Sequence, residues 1–292
     1  MNMNKGWNRI VPYLLIFPSM FLFLLFVLIP VLRIIYLSFT DYTMLQPPVW
    51  TGSANYTKLL HDPIFGKAVR NTACYWLGTV LPSMGLGLVL AAVLTLRLKG
   101  LAAFRALIYL PGVLSSVAVA MTWLWLLDPL QGPVNRMLSL FGVAGRNWLQ
   151  SPDTSLGSVI VIGIWTGMGF AMIVLLGGIQ GISESLYEAA ALDGASGVRQ
   201  FIHITLPLLQ PILLFLFIIS TIRSFQVFDL VYILTGGGPA NSSTTVVTQI
   251  VSASFQDYRM GYASAMSVVL LAVTMAITLL QYKMGSRNSS ME

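Results

Sequence analysis

Ser220, Thr221, Arg223, Ser224, Gln226 and Asp229 interrupt an otherwise apolar run between Pro211 and Leu234. Hydroxyls, an amide, a guanidinium and a carboxylate in such a setting can pair with a polar ligand, with aromatic side chains such as Trp123, Trp125, Trp165 or Phe170 available to pack on its apolar faces. Polar groups inside an apolar segment are costly, which makes them functional candidates, yet such groups also hold helices together. Both readings stay open on these residues alone. On a helix, Ser220, Ser224 and Val227 fall at i, i+4 and i+7 and share one face, with Arg223 and Gln226 at its flank and Asp229 turned further away. Arg223 and Asp229 are not spaced for an ion pair within one helix, so a partner for either would come from another subunit.

Chemistry that needs an activated group is missing from the pattern. His61 and His203 have no serine or aspartate beside them in a motif that suggests a nucleophile and its base. Cys74 is the single cysteine, so it makes no internal disulfide, and no CxxC or Cys/His cluster offers a metal site. No GxxxxGK[ST] sequence is present, and the run TGGGP from Thr235 to Pro239 lacks the lysine of a phosphate-binding loop. It reads as a flexible helix exit. Catalysis, redox chemistry and metal binding are not expected of this chain.

A second group of residues lies in GISESLYEAAALDGASGVRQFIHITLPLLQP, from Gly181 to Pro211. Ser185 and Glu188 fit a capping box, Ala189 to Leu192 are strong helix formers, and Gly194 can take the left-handed conformation that closes a helix. Ser196 can cap a second helix, which Pro207 and Pro211 delimit or kink. The result is a helix-turn-helix. One reading is an amphipathic hairpin packed on its own bundle; the other is a docking element, with Ala189, Ala190 and Ala191 small enough for close approach.

The elements that must carry these residues follow from composition. Of 292 residues, 56% are hydrophobic and 9% charged, against roughly a quarter charged in a soluble domain. The apolar residues gather into blocks from about Val11 to Tyr36, Thr72 to Leu96, Ala106 to Leu127, Leu156 to Ile179, Leu208 to Leu234 and Tyr262 to Tyr282. Each can cross a hydrocarbon core of about 30 Å, which needs roughly 20 helical residues. Continuous apolar runs exclude the alternating pattern of a barrel, so the expected fold is an all-α integral membrane protein of six transmembrane helices. The length of the first block, with no small-residue cleavage site, makes it an anchor rather than a signal peptide. Both termini then share a side with the segments around Arg97 and Gly181. That side holds Lys5, Arg9, Arg97, Lys99, Arg105, Arg199, Lys283 and Arg287, against Lys58, Lys67, Arg70, Arg136, Arg146 and Arg259 opposite. By the positive-inside rule both termini are cytoplasmic. The net charge of +6 is explained by cations facing anionic lipid and needs no nucleic-acid partner.

Glu188, Ala189, Ala190, Gly194, Ile204, Leu206 and Pro207 match, at the right spacing, the EAA loop of binding-protein-dependent ABC importers: EAA, a glycine four residues after the second alanine, then I-x-LP. The resemblance extends to ANYTKLLHDPIFGKAVRNT from Ala54, FRALIYLP from Phe104 and FQVFDLVYILTGGGP from Phe225. The chain resembles the permease subunits of the carbohydrate-uptake branch, the type found in maltose, glycerol-phosphate, lactose and alginate importers. The resemblance implies a type I ABC importer permease fold with a cytoplasmic EAA coupling helix. Its parts would be a cytoplasmic N-terminus and first helix (1–36), an external loop (37–70), a permease core (71–283, with the EAA loop at 181–207) and a cytoplasmic tail (284–292).

The resemblance also implies a division of labour in the cytoplasmic membrane of a bacterium. A second homologous permease completes the pathway, a cytoplasmic ATPase dimer holds ATP and Mg, and an external solute-binding protein delivers the saccharide. No cofactor is expected in this chain. Glu188, Ala189, Ala190, Asp193 and Gly194 are the implied ATPase-coupling residues. By position against maltose-type permeases, the implied substrate path comprises Ser116, Thr166, Gly167, Phe170, Ser220, Ser224 and Val227, together with Gly112 and Gly163. Gly112, Gly163 and Val227 replace larger aromatic or amide side chains of the maltose type, which argues against maltose itself. The competing reading is a self-contained, ion-driven secondary transporter, but such proteins usually show internal repeats and broken helices at matching positions, and no convincing repeat is visible.

Overall fold

The computed structural model describes residues 7–95 and 100–289, with side chains for residues 12–95 and 100–285. Lys5, Arg97 and Lys99, three of the cations on which the expected orientation rests, lie outside the described residues. Two compact units are present, Met1–Asp62 with Ile250–Val269 and Pro63–Gln249 with Leu270–Glu292.

The first unit opens with α1 (Trp7–Phe23), a π-helical turn (Leu24–Leu28) and α2 (Ile29–Ser38). Pro30 has no N–H, and its ring would crowd the carbonyl of Phe26 four residues earlier, so the ladder widens there instead of breaking. The span Pro12–Ser38 is apolar on every side and buries none of its most apolar window. Such a helix has lipid for its solvent. A two-stranded hairpin follows, β1 (Thr40–Asp41) pairing antiparallel with β2 (Val49–Trp50), and then α3 (Ala54–Leu60). The buried Asn55 amide donates to the carbonyls of Ser38 (3.0 Å) and Thr40 (2.8 Å), satisfying groups that the end of α2 leaves open. Tyr262 closes the unit by donating to the Asp62 carboxylate at 2.6 Å.

The second unit contains α4 (Pro63–Val93), α5 (Leu101–Val113), α6 (Ser116–Leu126), α7 (Pro133–Leu140), α8 (Ser155–Gln180), α9 (Glu184–Leu192), α10 (Gly197–Gln200), α11 (Leu206–Leu208), α12 (Gln210–Phe225) and α13 (Asp229–Thr235). The chain ends with α14 (Val246–Val251) and α15 (Met260–Ser289). Helices in lipid gain little from the hydrophobic effect and associate by close packing. Accordingly α4 and α8 meet where Gly87 leaves no room: an added Cβ would stand 2.5 Å from that of Ala171. One buried cluster, including Met172, Leu175, Leu209 and Leu216, forms around this contact; another, including Val119, Val159, Ile162 and Val231, joins α6, α8 and α13.

Two apolar blocks expected as continuous helices are broken. The third is α5 and α6, bent by 97° at Leu114 and Ser115. Pro111 lacks a backbone donor and Gly112 is a poor helix former, so the last turn of α5 has little to carry it forward. The fifth bends by 64° at Leu209, between two prolines, then stops at Phe225 and resumes at Asp229. The described residues therefore hold four helices long and apolar enough to cross a membrane, or six if each bent pair is one span. The second block starts earlier than expected, at Pro63.

Candidate substrate cavity and hairpin

The break at Leu114 and the interruption after Phe225, though not the bend at Leu209, open onto one cavity of about 460 Å3 in the second unit. Ser116, Thr166, Gly167, Phe170, Ser220, Ser224 and Val227 all line it, as do Gly112 and Gly163. Because α12 ends at Phe225, Val227 reaches the cavity from the connecting segment and not from a shared helical face. The same ending corrects the expected positions of Gln226 and Asp229, which line the cavity too, while Arg223 lines it from within α12. Of the aromatic candidates only Phe170 lines it. Trp123 and Trp165 pack edge to face, 5.5 Å between centroids, against the neighbouring core, and Trp125 is exposed on α6.

Sequence reasoning missed the wall supplied by α4. Tyr75, Thr79 and Ser83 stand at i, i+4 and i+8 and line the cavity together. That spacing of polar residues in an apolar block was readable, but single hydroxyls draw less attention than the dense polar set near Arg223. Gly163 is the seat for this wall: an added Cβ would lie 2.6 Å from the Tyr75 hydroxyl and 2.9 Å from Thr79 Cγ2.

The hydroxyls have a common bias. Thr79 donates to the Tyr75 carbonyl at 2.6 Å, Ser83 to that of Thr79, Thr166 to that of Gly163 at 3.1 Å and Ser224 to that of Thr221 at 2.9 Å. Each proton is committed to the helix itself, leaving oxygen lone pairs that accept from a ligand. Among the described residues the Tyr75 hydroxyl and the Gln226 amide make no side-chain hydrogen bond, and the Arg223 guanidinium rests over the Phe170 ring, 4.5 Å from its centroid. The cavity thus offers many acceptors and a few donors beside an aromatic face. That mixture suits a polyhydroxylated ligand.

The hairpin from Gly181 lies apart from the cavity. Glu188, Ala189, Asp193 and Gly194 are exposed and Ala190 is half-buried; Leu192 is 90% exposed. Gly194, at φ +77°, ends α9 with a paired closure in which Ala195 N–H donates to Ala190 O (2.9 Å) and Gly194 N–H to Ala191 O (3.0 Å). Ser196 caps α10 by accepting from Arg199 N–H at 3.4 Å. The expected capping box of Ser185 and Glu188 does not form, because α9 starts at Glu184 with Ser183 at its cap, and the two serine hydroxyls bond each other at 2.7 Å. Tyr187 ties the hairpin down through Thr205, hydroxyl to hydroxyl at 2.8 Å. His203 bonds only within its own turn, to Arg199 O. Among the described residues no His, Cys, Asp and Glu cluster could hold a metal ion.

A family model for binding-protein-dependent transport system inner membrane components matches residues 7–289. The chain belongs to that family. This permease is 34% identical to the sulfoquinovosyl glycerol transport system permease protein SmoG of Agrobacterium fabrum, over 93% of this chain and 89% of that one. It is 33% identical to the trehalose/maltose transport system permease protein MalF of Thermococcus litoralis, over 94% and 92%. It also matches a chain in the crystal structure of a bacterial alginate ABC transporter in complex with an alginate pentasaccharide-bound periplasmic protein. The TM-score is 0.86 and the identity 26%, covering 97% of the permease and 98% of that chain.

Proposed function

We propose that this permease is one of two transmembrane subunits of an ATP-driven importer for a sugar or oligosaccharide handed over by a solute-binding protein. The single observation that carries the reading is the hydroxyl-lined cavity at the two helix breaks, with Phe170 as a platform for a sugar ring. Both termini lie in the cytoplasm of the host, and the permease core (71–283) forms the path with a second permease. ATP and Mg belong to a separate ATPase dimer that docks on the hairpin. Glu188, Ala189, Ala190, Asp193 and Gly194 make that contact, so that closure of the ATPase dimer tilts α9 and reorients the cavity. The relatives that carry sugars or sugar derivatives support the substrate class, and the alginate complex supports delivery by a binding protein.

Reconstitution in vesicles tests the reading. Uptake should require ATP on the ATPase side and loaded binding protein on the other. Uptake by this chain alone, driven by a proton or sodium gradient, would replace the importer with a secondary transporter.

A further inference from the structure

We propose that α7, with the residues on either side of it, is an interfacial anchor whose outer face lies in the headgroup and upper acyl region of the bilayer and binds anionic lipid. The helix is clamped from one side. Val134 packs on the core that joins α6, α8 and α13, while the buried Asn135 amide donates to Pro129 O (3.1 Å) and Arg146 O (3.0 Å) and accepts from Arg146 N–H (3.1 Å) and Trp148 Nε1–H (2.8 Å). Asp128 fixes the approach by accepting from Leu130 N–H and Gln131 N–H. The orientation of α7 is therefore set, and so is the face it turns outward.

That face is apolar. Met137, Leu140 and Phe141 stand at i, i+3 and i+4, and Leu140 and Phe141 are 83% and 81% exposed. Leu130, at 89%, extends the ridge toward α6. Exposed side chains of this size on a rigid helix mark a surface that meets something other than water.

Lipid is the occupant for three reasons. Trp125 is exposed at the end of α6, where a tryptophan with an apolar body and a polar N–H marks the membrane boundary, and α7 begins only eight residues later, within a short reach of it. The ridge thus continues the exposed apolar surface of the spans. Between Pro129 and Gln150 the chain carries Arg136 and Arg146 and no acidic residue, a complement to phosphate groups. Arg136 adjoins the ridge on α7, where a cation beside an apolar face can reach the headgroups while the face enters the hydrocarbon.

The test uses the assembled importer in vesicles of phosphatidylcholine with phosphatidylglycerol. Single cysteines are placed at Leu140 and, as an exposed polar control, at Asn147 in a Cys74→Ser background, and are labelled with an environment-sensitive fluorophore. Brominated acyl chains should quench the label at 140 at least twice as strongly as at 147, and an aqueous quencher should show the reverse. Adding Arg136→Glu should lower the lipid quenching in phosphatidylglycerol vesicles and leave it unchanged in pure phosphatidylcholine. Equal aqueous access at both positions would overturn the proposal. Protection of position 140 that arises only when binding protein is added would overturn it as well, by assigning the ridge to a protein partner.

Discussion

At the scale of residues, the proposed substrate path separates groups placed to contact a ligand from groups that shape the space. Ser224 offers an acceptor oxygen, and one such hydrogen bond is worth about 0.5–1.5 kcal/mol, so Ser224→Ala should slow uptake only roughly two- to ten-fold. Ser224→Trp fills the cavity and should abolish uptake while the complex still co-purifies; initial uptake rates in vesicles distinguish the two. Gly163 and Gly167 make a matched pair, since a Cβ would collide with Tyr75 and Thr79 at the first but meet Ser83 at an ordinary 3.5 Å at the second. Gly163→Ala should cost roughly 1–3 kcal/mol and lower the thermal midpoint of the detergent-solubilised permease, whereas Gly167→Ala should leave it near the parent value. The resemblance marked both glycines, but which one is pressed against α4 depends on the rotation of α4 and α8 about their axes. Apolar blocks without a strong polar face do not encode that rotation.

At the scale of elements, the hairpin was the most legible part and the broken helices the least. Gly194 and Ser196 have the local roles their residue types specify, because a left-handed closure and an N-cap depend on a few neighbouring atoms. Ser185 misled by standing two residues beyond a second serine that takes the cap. The breaks at Leu114 and after Phe225 are tertiary decisions: Pro111 and Gly112 signal weakness, but nothing in the run from Phe225 to Asp229 is a helix breaker. A space beyond Gly194 means that the strain of any side chain there comes from φ alone. Gly194→Val should therefore cost about 1–2 kcal/mol locally, and Glu188→Lys should reverse a surface charge without touching the core. On the proposed coupling, both variants should insert normally yet lose ATP-linked uptake and ATPase co-purification. Wild-type uptake in both would remove the coupling role from this hairpin.

At the scale of the whole molecule, the all-α membrane class follows from composition, since only lipid can solvate so many apolar side chains, while the six apolar blocks become four long helices and two bent pairs among the described residues. Orientation rests on few charges and is the natural target for labelling. In a Cys74→Ser background, a cysteine at Ser183 should react with a membrane-impermeant maleimide only after permeabilisation, and one at Ser151 should react in intact cells. The opposite pattern would invert the permease and place the hairpin out of reach of any ATPase.

The two interrupted helices have a consequence for how such a protein diversifies. A helix end leaves backbone N–H or C=O groups without intrahelical partners, and the segments around Leu114 and Val227 bring two such ends to the cavity wall. Main-chain polarity survives any exchange of side chain. On the proposed substrate path, exchange of Ser220, Ser224 or Thr166 would change which sugar is preferred, while the polarity of the helix ends beside them would stay. On the same reading, drift from one saccharide to another would pass through intermediates that still transport, and selectivity would evolve faster than the fold that carries it.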